Sequence, residues 1–300
     1  MCKDGSHYDI SRGIVICISV FTLIALLCCS FWIVDIISVK ASTRGSVTQV
    51  VIVGTIHSDH FINERYSLKT LWQIVVLCKP DVILFEDQSS RDNSMNYSNE
   101  NREDNSFFSY PEKTIIDKIT KSLNIKQIPF DLPNRREHFR KTKYFERKQR
   151  ANILTKKWIS RIMQDDPNSI DLVIARLGMV ASEYQRNLVE PNDINSEVHD
   201  SFAKIKYLVY YEIMPKILQA YDEYKVAASD WLFLKEEWEM RNNVMAHNIK
   251  IAAQNFHGKR LVILVGADHR YILRDLLCKD KTIQVWEYWE NIPSSSEGEK

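Results

Sequence analysis

The feature that most constrains the fold is a series of short, continuous apolar runs separated by segments with helical spacing. A run that is apolar on both faces is typical of a buried strand, and buried strands joined by helices favour a parallel sheet. We therefore predict an α/β protein with a mainly parallel sheet. The predicted strands are Val47–Val53, Asp81–Phe85, Ile125–Phe130, Arg260–Val265 and Thr282–Trp289.

Helical spacing of apolar residues fills most of the intervals between these strands. A large helical insertion is predicted at 135–257, because nearly all of it has this spacing. Residues 87–111 are rich in Asn, Ser and charge and have no periodicity, which predicts a long loop. The other predicted helices are Tyr66–Cys78, 112–122 and 270–278, and the insertion is broken near Asp165–Pro167 and Glu190–Asn195.

The N-terminal region is a separate unit. Ile14–Val34 contains no charged residue and as a helix would span about 31 Å, the thickness of a bilayer core. We interpret it as a transmembrane signal-anchor, although cleavage after Ala41 stays an alternative. The predicted units are a tail at 1–13, the anchor at 14–39, a linker at 40–46, the α/β domain at 47–290 and a polar tail at 291–300.

Composition and absent motifs exclude several functions. The net charge is +1, so no overall field attracts nucleic acid, and no nucleic-acid partner is expected. The basic segment 135–150 contains glutamates at helical spacing and is interpreted as a solvated helix face, although Arg135 or Arg136 lies close enough to Asp131 to reach a site there. The sequence contains no P-loop, Rossmann fingerprint, HExxH helix or GxSxG elbow, which removes the usual signatures of nucleotide-dependent and serine-hydrolase chemistry.

Each of the first four predicted strands ends in a carboxylate or a histidine. The ends read “GTIH”, “FEDQ”, “PFDLP” and “VGADH” and supply His57, Glu86, Asp131 and His269. Parallel sheets bind ligands at this edge. The first and last ends share the pattern Gly-x-x-His, and we expect each glycine to let the backbone bend so that the histidine returns over its strand end.

Two imidazoles and a carboxylate form a common ligand set for zinc, manganese or cobalt. A metal held in this way lowers the pKa of bound water and makes it a nucleophile for hydrolysis. The set predicted here is His57, Glu86 and His269. The alternative is that Glu86 pairs with an arginine and both histidines are hydrogen-bonded at the edge of the core.

These motifs resemble the TraB/PrgY/GumN/Tiki family. The resemblance rests on the two GxxH turns, on Glu86 between them, and on “MRNNVMAHNI”, in which Arg241 and Asn242 match a helix motif of that family. It covers roughly residues 48–290. Two departures are Met240, where the family usually has a glutamate, and “HRYIL”, which lacks the glycine that often follows the second histidine.

The resemblance implies a fold shared with erythromycin esterases and ChaN-like haem-binding proteins. It also implies a single-pass membrane metalloprotease, with its α/β domain outside the cytoplasm, that needs a divalent metal and acts on a peptide or protein substrate. His57, Glu86 and His269 would be the ligands, Glu86 serving alternatively as general base. A haem- or ligand-binding protein and a non-catalytic peptide-binding protein are the alternatives. Supporting roles are expected for His60, Asp131, Arg241, Asn242 and Asp268.

Overall fold

The computed structural model describes residues 47–88 and 111–290. Its strands are β1 (Thr48–Thr55), β2 (Val82–Gln88), β3 (Lys126–Asp131), β4 (Arg260–Gly266) and β5 (Ile283–Trp286). They form one five-stranded sheet in the order β3-β2-β4-β1-β5, and every pairing in it is parallel. The prediction of an α/β protein with a mainly parallel sheet is confirmed.

Helices occupy the intervals between the strands. The α-helices are α1 (Leu68–Leu77), α2 (Glu112–Leu123), α3 (Arg135–Lys141), α4 (Tyr144–Asp165), α5 (Ile170–Asn187), α6 (Pro191–Ile194), α7 (Glu197–Tyr207), α8 (Met214–Gln219), α9 (Lys225–Asn255) and α10 (Ala267–Leu277). A 3₁₀ turn at His57–Phe61 follows β1, and another at Asp222–Tyr224 precedes α9. A π-helical segment, Leu208–Ile213, joins α7 to α8.

Both faces of the sheet are covered, which explains the continuous apolar runs in the central strands β1, β2 and β4. Side chains alternate between the two faces along a strand. In β1, Val50 and Ile52 therefore pack in a core with α9 and α10, whereas Val51 and Val53 pack in a second core with α1 and α2. All four of these side chains are buried, so both faces of β1 contribute to the core.

The chain between β3 and β4 forms the predicted helical insertion. Its helices α4, α5, α8 and α9 share a third core around Trp158, Leu172, Met214 and Trp231. Helix α9 is 31 residues long and packs both in this core and against the sheet. It therefore carries side chains from the insertion to the carboxyl ends of the strands.

The boundaries differ from the prediction in a few places. β5 ends at Trp286, three residues earlier than expected. β2 continues through Gln88, so the predicted loop at 87–111 begins later. The insertion has a further break at the π-helical segment, where Pro215 in the first turn of α8 has no N–H to donate to the preceding turn.

The predictions for residues 1–46, for most of the loop and for the tail 291–300 fall outside the described residues. The transmembrane signal-anchor at 14–39 is among them. Of the helices within 47–88 and 111–290, none is both long enough and apolar enough to cross a bilayer.

Candidate active site

A dense group of ionisable side chains lies at the carboxyl edge of the sheet. β1 leads into His57, β2 carries Glu86, β3 ends at Asp131, and His269 lies in the first turn of α10 directly after β4. Helix α9 contributes Arg241, which contacts all of these groups except His57. The sheet and α9 thus bring together the residues that the strand-end pattern and the helix motif indicated.

His57 begins the turn after β1 and lies over the backbone of β4. A Cβ atom added to Gly266 would be 2.6 Å from His57 Nε2, so the glycine makes room for the imidazole. Nε2 lies 3.8 Å from Glu86 Oε2, and Nδ1 lies 3.2 Å from Glu112 Oε1. The backbone φ of His57 is +48°, a left-handed conformation that costs a non-glycine residue about 1–3 kcal/mol.

The surroundings of His57 make its ring both accessible and basic. Its side chain is 41% exposed. Partial desolvation acts to lower the pKa of the ring, but the hydrogen bond with Glu112 and the negative charge of Glu86 outweigh it. The pKa of His57 therefore lies above its ordinary value of 6.5.

Glu86 is a buried carboxylate held by cations and by the backbone. Its Oε1 accepts a hydrogen bond from Arg241 and lies 3.5 Å from Arg135 Nη1, and its Oε2 accepts from the Gly266 N–H at 2.7 Å. Burial acts to raise the pKa of Glu86, but the charge of Arg241, followed by that of His57, holds it well below its usual range. Glu86 is therefore ionised, and it pairs with an arginine as the alternative interpretation of the sequence held.

Arg241 connects β2 and β3 to the insertion. Its Nε and Nη2 donate to the two oxygens of Asp131, each at 2.9 Å. This bidentate geometry is the strongest form of arginine–carboxylate pairing. Asp131 also accepts a hydrogen bond from Arg135, which is buried rather than on a solvated helix face. Two guanidinium groups and two carboxylates thus form one buried, charge-balanced network.

His269 is buried, and both of its ring nitrogens make hydrogen bonds. Nε2 lies 3.0 Å from Arg241 Nη1, and Nδ1 lies 2.8 Å from Asn242 Oδ1. Because a guanidinium only donates, Nε2 is the acceptor and Nδ1 carries the proton. Trp238 stacks on the ring at 4.2 Å between centroids. Burial and the charge of Arg241 lower the pKa of His269 to about 3, so the ring is neutral.

Glu112 belongs to the site but has no signal in the sequence. It is the first residue of α2 and is buried, and its Oε1 contacts Nδ1 of His57, 55 positions away along the chain. Burial acts to raise the pKa of Glu112, but the hydrogen bond and charge of His57 lower it below the ordinary value. A glutamate at a helix start is common, so only the packing of α2 beside the end of β1 reveals this role.

His60 and Asp268, predicted to support the site, have other partners. Nδ1 of His60 donates to the Tyr66 carbonyl at 2.6 Å, and its Nε2 accepts from a backbone N–H four residues earlier at 3.2 Å. The His60 ring therefore holds the turn after β1. Asp268 accepts hydrogen bonds from Lys206 and Gln185 and so ties the start of α10 to the insertion.

The site geometry does not assemble the predicted metal ligands into one set. Across 47–88 and 111–290, no three histidine, cysteine or carboxylate side chains converge on a point where a metal ion fits. His269 Nε2 and Glu86 Oε1 both accept from Arg241, so a cation bound to them would have to displace a guanidinium. A divalent metal at this site stays a prediction of the sequence.

Comparison of the chain with protein-family models, curated proteins and solved structures gives no match. The fold and the site therefore define the protein: an α/β chain with a charged centre at the carboxyl edge of a parallel sheet. The resemblance to the TraB/PrgY/GumN/Tiki family stays a prediction that rests on the motifs.

Proposed function

We propose that this protein is a hydrolase of acyl bonds, peptide or ester, in which His57 is the general base. The observation that carries the proposal is the position of the His57 ring. It is accessible, it is held in a strained backbone conformation, and it lies between two buried carboxylates, Glu86 and Glu112, at the edge of the sheet. An ordinary surface histidine does not lie between two buried carboxylates.

In this proposal Nε2 of His57 takes a proton from a water molecule whose oxygen attacks the acyl carbon of the substrate. The proton is then given to the leaving oxygen or nitrogen as the acyl bond breaks. Glu86 and Glu112 stabilise the imidazolium that exists between the two transfers. A positioned base of this kind contributes about 10²–10⁴-fold to a rate.

The network around Arg241 has a supporting role in this proposal. Arg241 holds Glu86 ionised, orients Asp131 through two hydrogen bonds and fixes the neutral His269 ring beside them. Groups that are fixed before the reaction need no rearrangement when charge develops on His57, which is the main source of electrostatic catalysis.

Three features of the proposal rest on the sequence and its resemblance. These are membership of the TraB/PrgY/GumN/Tiki group, a peptide or protein as substrate, and membrane attachment through 14–39. A divalent metal is a separate prediction of the resemblance, and the route proposed here does not require it. His57 Nε2 and Glu86 Oε2, which lie 3.8 Å apart, would hold such an ion, and the ion would lower the pKa of bound water.

The test is an assay of the purified full-length chain against mixed fluorogenic peptides and carboxylic esters, with and without a chelator. We expect hydrolysis that survives chelation and is lost in His57→Gln. The matched control is His247→Gln, since His247 is an exposed histidine on α9 and its replacement should leave the rate unchanged.

Two results would overturn the proposal. If His57→Gln keeps its hydrolytic activity, His57 is not the general base. If the parent chain hydrolyses neither substrate class above the buffer rate, the ligand-binding alternatives are favoured. Loss of activity on chelation, restored by zinc, manganese or cobalt, would instead support the metal-dependent prediction against the metal-free route.

A further inference from the structure

The buried glutamate at the start of α2 has a contact that the proposed reaction can use. We propose that Glu112 is a positioning residue that fixes the orientation and the tautomer of His57. This inference rests on the hydrolase function proposed above, because it assigns Glu112 a part in the same site.

The geometry places Glu112 on the side of the ring that faces away from β4. Glu112 Oε1 lies 3.2 Å from His57 Nδ1, whereas His57 Nε2 lies over Gly266 and 3.8 Å from Glu86. A carboxylate can only accept a hydrogen bond, so Nδ1 must carry the ring proton in neutral His57. Nε2 is then left with its lone pair on the side of Glu86, which is the state that a general base requires.

Within the described part of the chain, the ion-pair partners of the buried Glu112 are histidines rather than lysine or arginine. Its side chain is 5% exposed, and an unpaired carboxylate in such a place costs several kcal/mol. Among the described residues no lysine or arginine forms an ion pair with it; its ion pairs there are to His57 and, at 4.0 Å, to His60. Its position at the positive end of α2 favours the ionised form.

His60 does not compete with His57 for this carboxylate. Nε2 of His60, the atom nearest to Glu112, accepts a backbone hydrogen bond and Nδ1 donates to a carbonyl. A ring held in this way has no proton on Nε2 to share with Glu112. The contact with His57 is therefore the one by which Glu112 acts on the site.

The experiment compares Glu112→Gln and Glu112→Leu in the full-length protein by kinetics. Glutamine keeps the shape but allows either tautomer of His57, and leucine removes the acceptor altogether. We expect kcat to fall on the order of 10-fold for Gln and 100-fold for Leu, with KM changed less than about twofold, because the base and not substrate binding is affected. Glu197→Gln is the matched control, since Glu197 is the exposed first residue of α7.

A second readout does not depend on activity. Nitrogen-15 NMR of ring-labelled histidine, with the His57 signals assigned from the His57→Gln spectrum, reports which ring nitrogen carries the proton. We expect Nδ1–H in the parent and in Glu197→Gln, and a shift toward Nε2–H in both Glu112 variants.

An unchanged tautomer in Glu112→Gln and Glu112→Leu would overturn the inference even if the protein is an active hydrolase. If the parent chain has no hydrolytic activity but the Glu112 variants still change the tautomer of His57, the proposed function is overturned and the positioning contact stands. If Glu112→Leu does not fold, the isosteric Glu112→Gln decides both measurements.

Discussion

His57 and His269 occupy the same place in two copies of the pattern Gly-x-x-His, but their rings have opposite surroundings. The His57 side chain is 41% exposed, begins a 3₁₀ turn and has a raised pKa. His269 is buried in the first turn of a helix, with both nitrogens hydrogen-bonded and a pKa lowered to about 3. The first ring is exposed and has the more basic surroundings, and the second is buried and neutral.

The glycines of the two motifs differ from the expectation as well. Neither Gly54 nor Gly266 has a positive φ, so neither makes the sharp bend that the sequence suggested. Each glycine instead serves the other motif. A Cβ on Gly266 would be 2.6 Å from His57 Nε2, and a Cβ on Gly54 would be 3.1 Å from the Ala267 Cα.

A repeated motif need not give its residues the same surroundings. β1 and β4 are neighbours in the sheet, paired from Gln49 with Arg260 to Thr55 with Gly266. The two turns that follow them therefore pack against each other and act as one unit. The resulting unit has one accessible histidine and one buried histidine.

The largest expected effect is on turnover when His57 is replaced. His57→Gln should lower the hydrolytic rate on the order of 10²–10⁴-fold. Its free energy of unfolding should change less than that of His269→Ala, because the amide of the new glutamine can still donate a hydrogen bond to Glu112. His269→Ala should instead cost about 2–4 kcal/mol of stability, because it removes a buried ring and leaves the groups on Arg241 and Asn242 unpaired. Kinetics and urea unfolding of both variants measure the two quantities.

The division between the two histidines fails if His269→Ala keeps full stability or if His57→Gln unfolds the chain. His247→Gln again serves as the reference for replacement of a surface histidine on α9.

A smaller effect should separate the two glycines. Gly54→Ala should destabilise the fold by about 1–3 kcal/mol, because its Cβ meets backbone that cannot move aside. Gly266→Ala should mainly displace the His57 ring and lower turnover about tenfold or more, since small displacements of a catalytic group are costly. Urea unfolding and steady-state rates of both variants provide the test. Equal losses of stability with equal rates would show that the glycines do not serve each other's motif.

Much of the site could be predicted because strand ends are visible in a sequence. The apolar runs end in His57, Glu86 and Asp131, and a parallel sheet places such ends at one edge whatever the detailed packing. Arg241 was identified by its helix motif, although the sequence could not show that it would occupy the lone pairs assigned to a metal.

The parts that could not be predicted depend on contacts between distant segments. Glu112 reaches His57 only because α2 packs beside the end of β1. Asp268 adjoins His269 in sequence, yet the first turn of α10 directs it toward Lys206 rather than toward the site. A pattern places a residue near a site, but helix geometry and packing decide which side chains face it.

The smallest expected effect is a difference in the pH dependence of stability, for which the two histidines have opposite signs. Burial and the charge of Arg241 depress the pKa of His269 in the folded protein, so its contribution is present above pH 6.5 and is lost as the pH falls toward about 3. The pKa of folded His57 is raised, so its contribution is present below pH 6.5 and is lost as the pH rises through the folded value.

His269→Asn should therefore reduce the loss of stability on acidification, and His57→Gln should flatten the curve of stability against pH above pH 6.5. Each slope is at most about 1.4 kcal/mol per pH unit, which urea midpoints measured at matched pH values can resolve. If both substitutions change the slope of stability against pH in the same direction relative to the parent, the two rings have the same kind of environment. The difference between the two Gly-x-x-His turns would then fail.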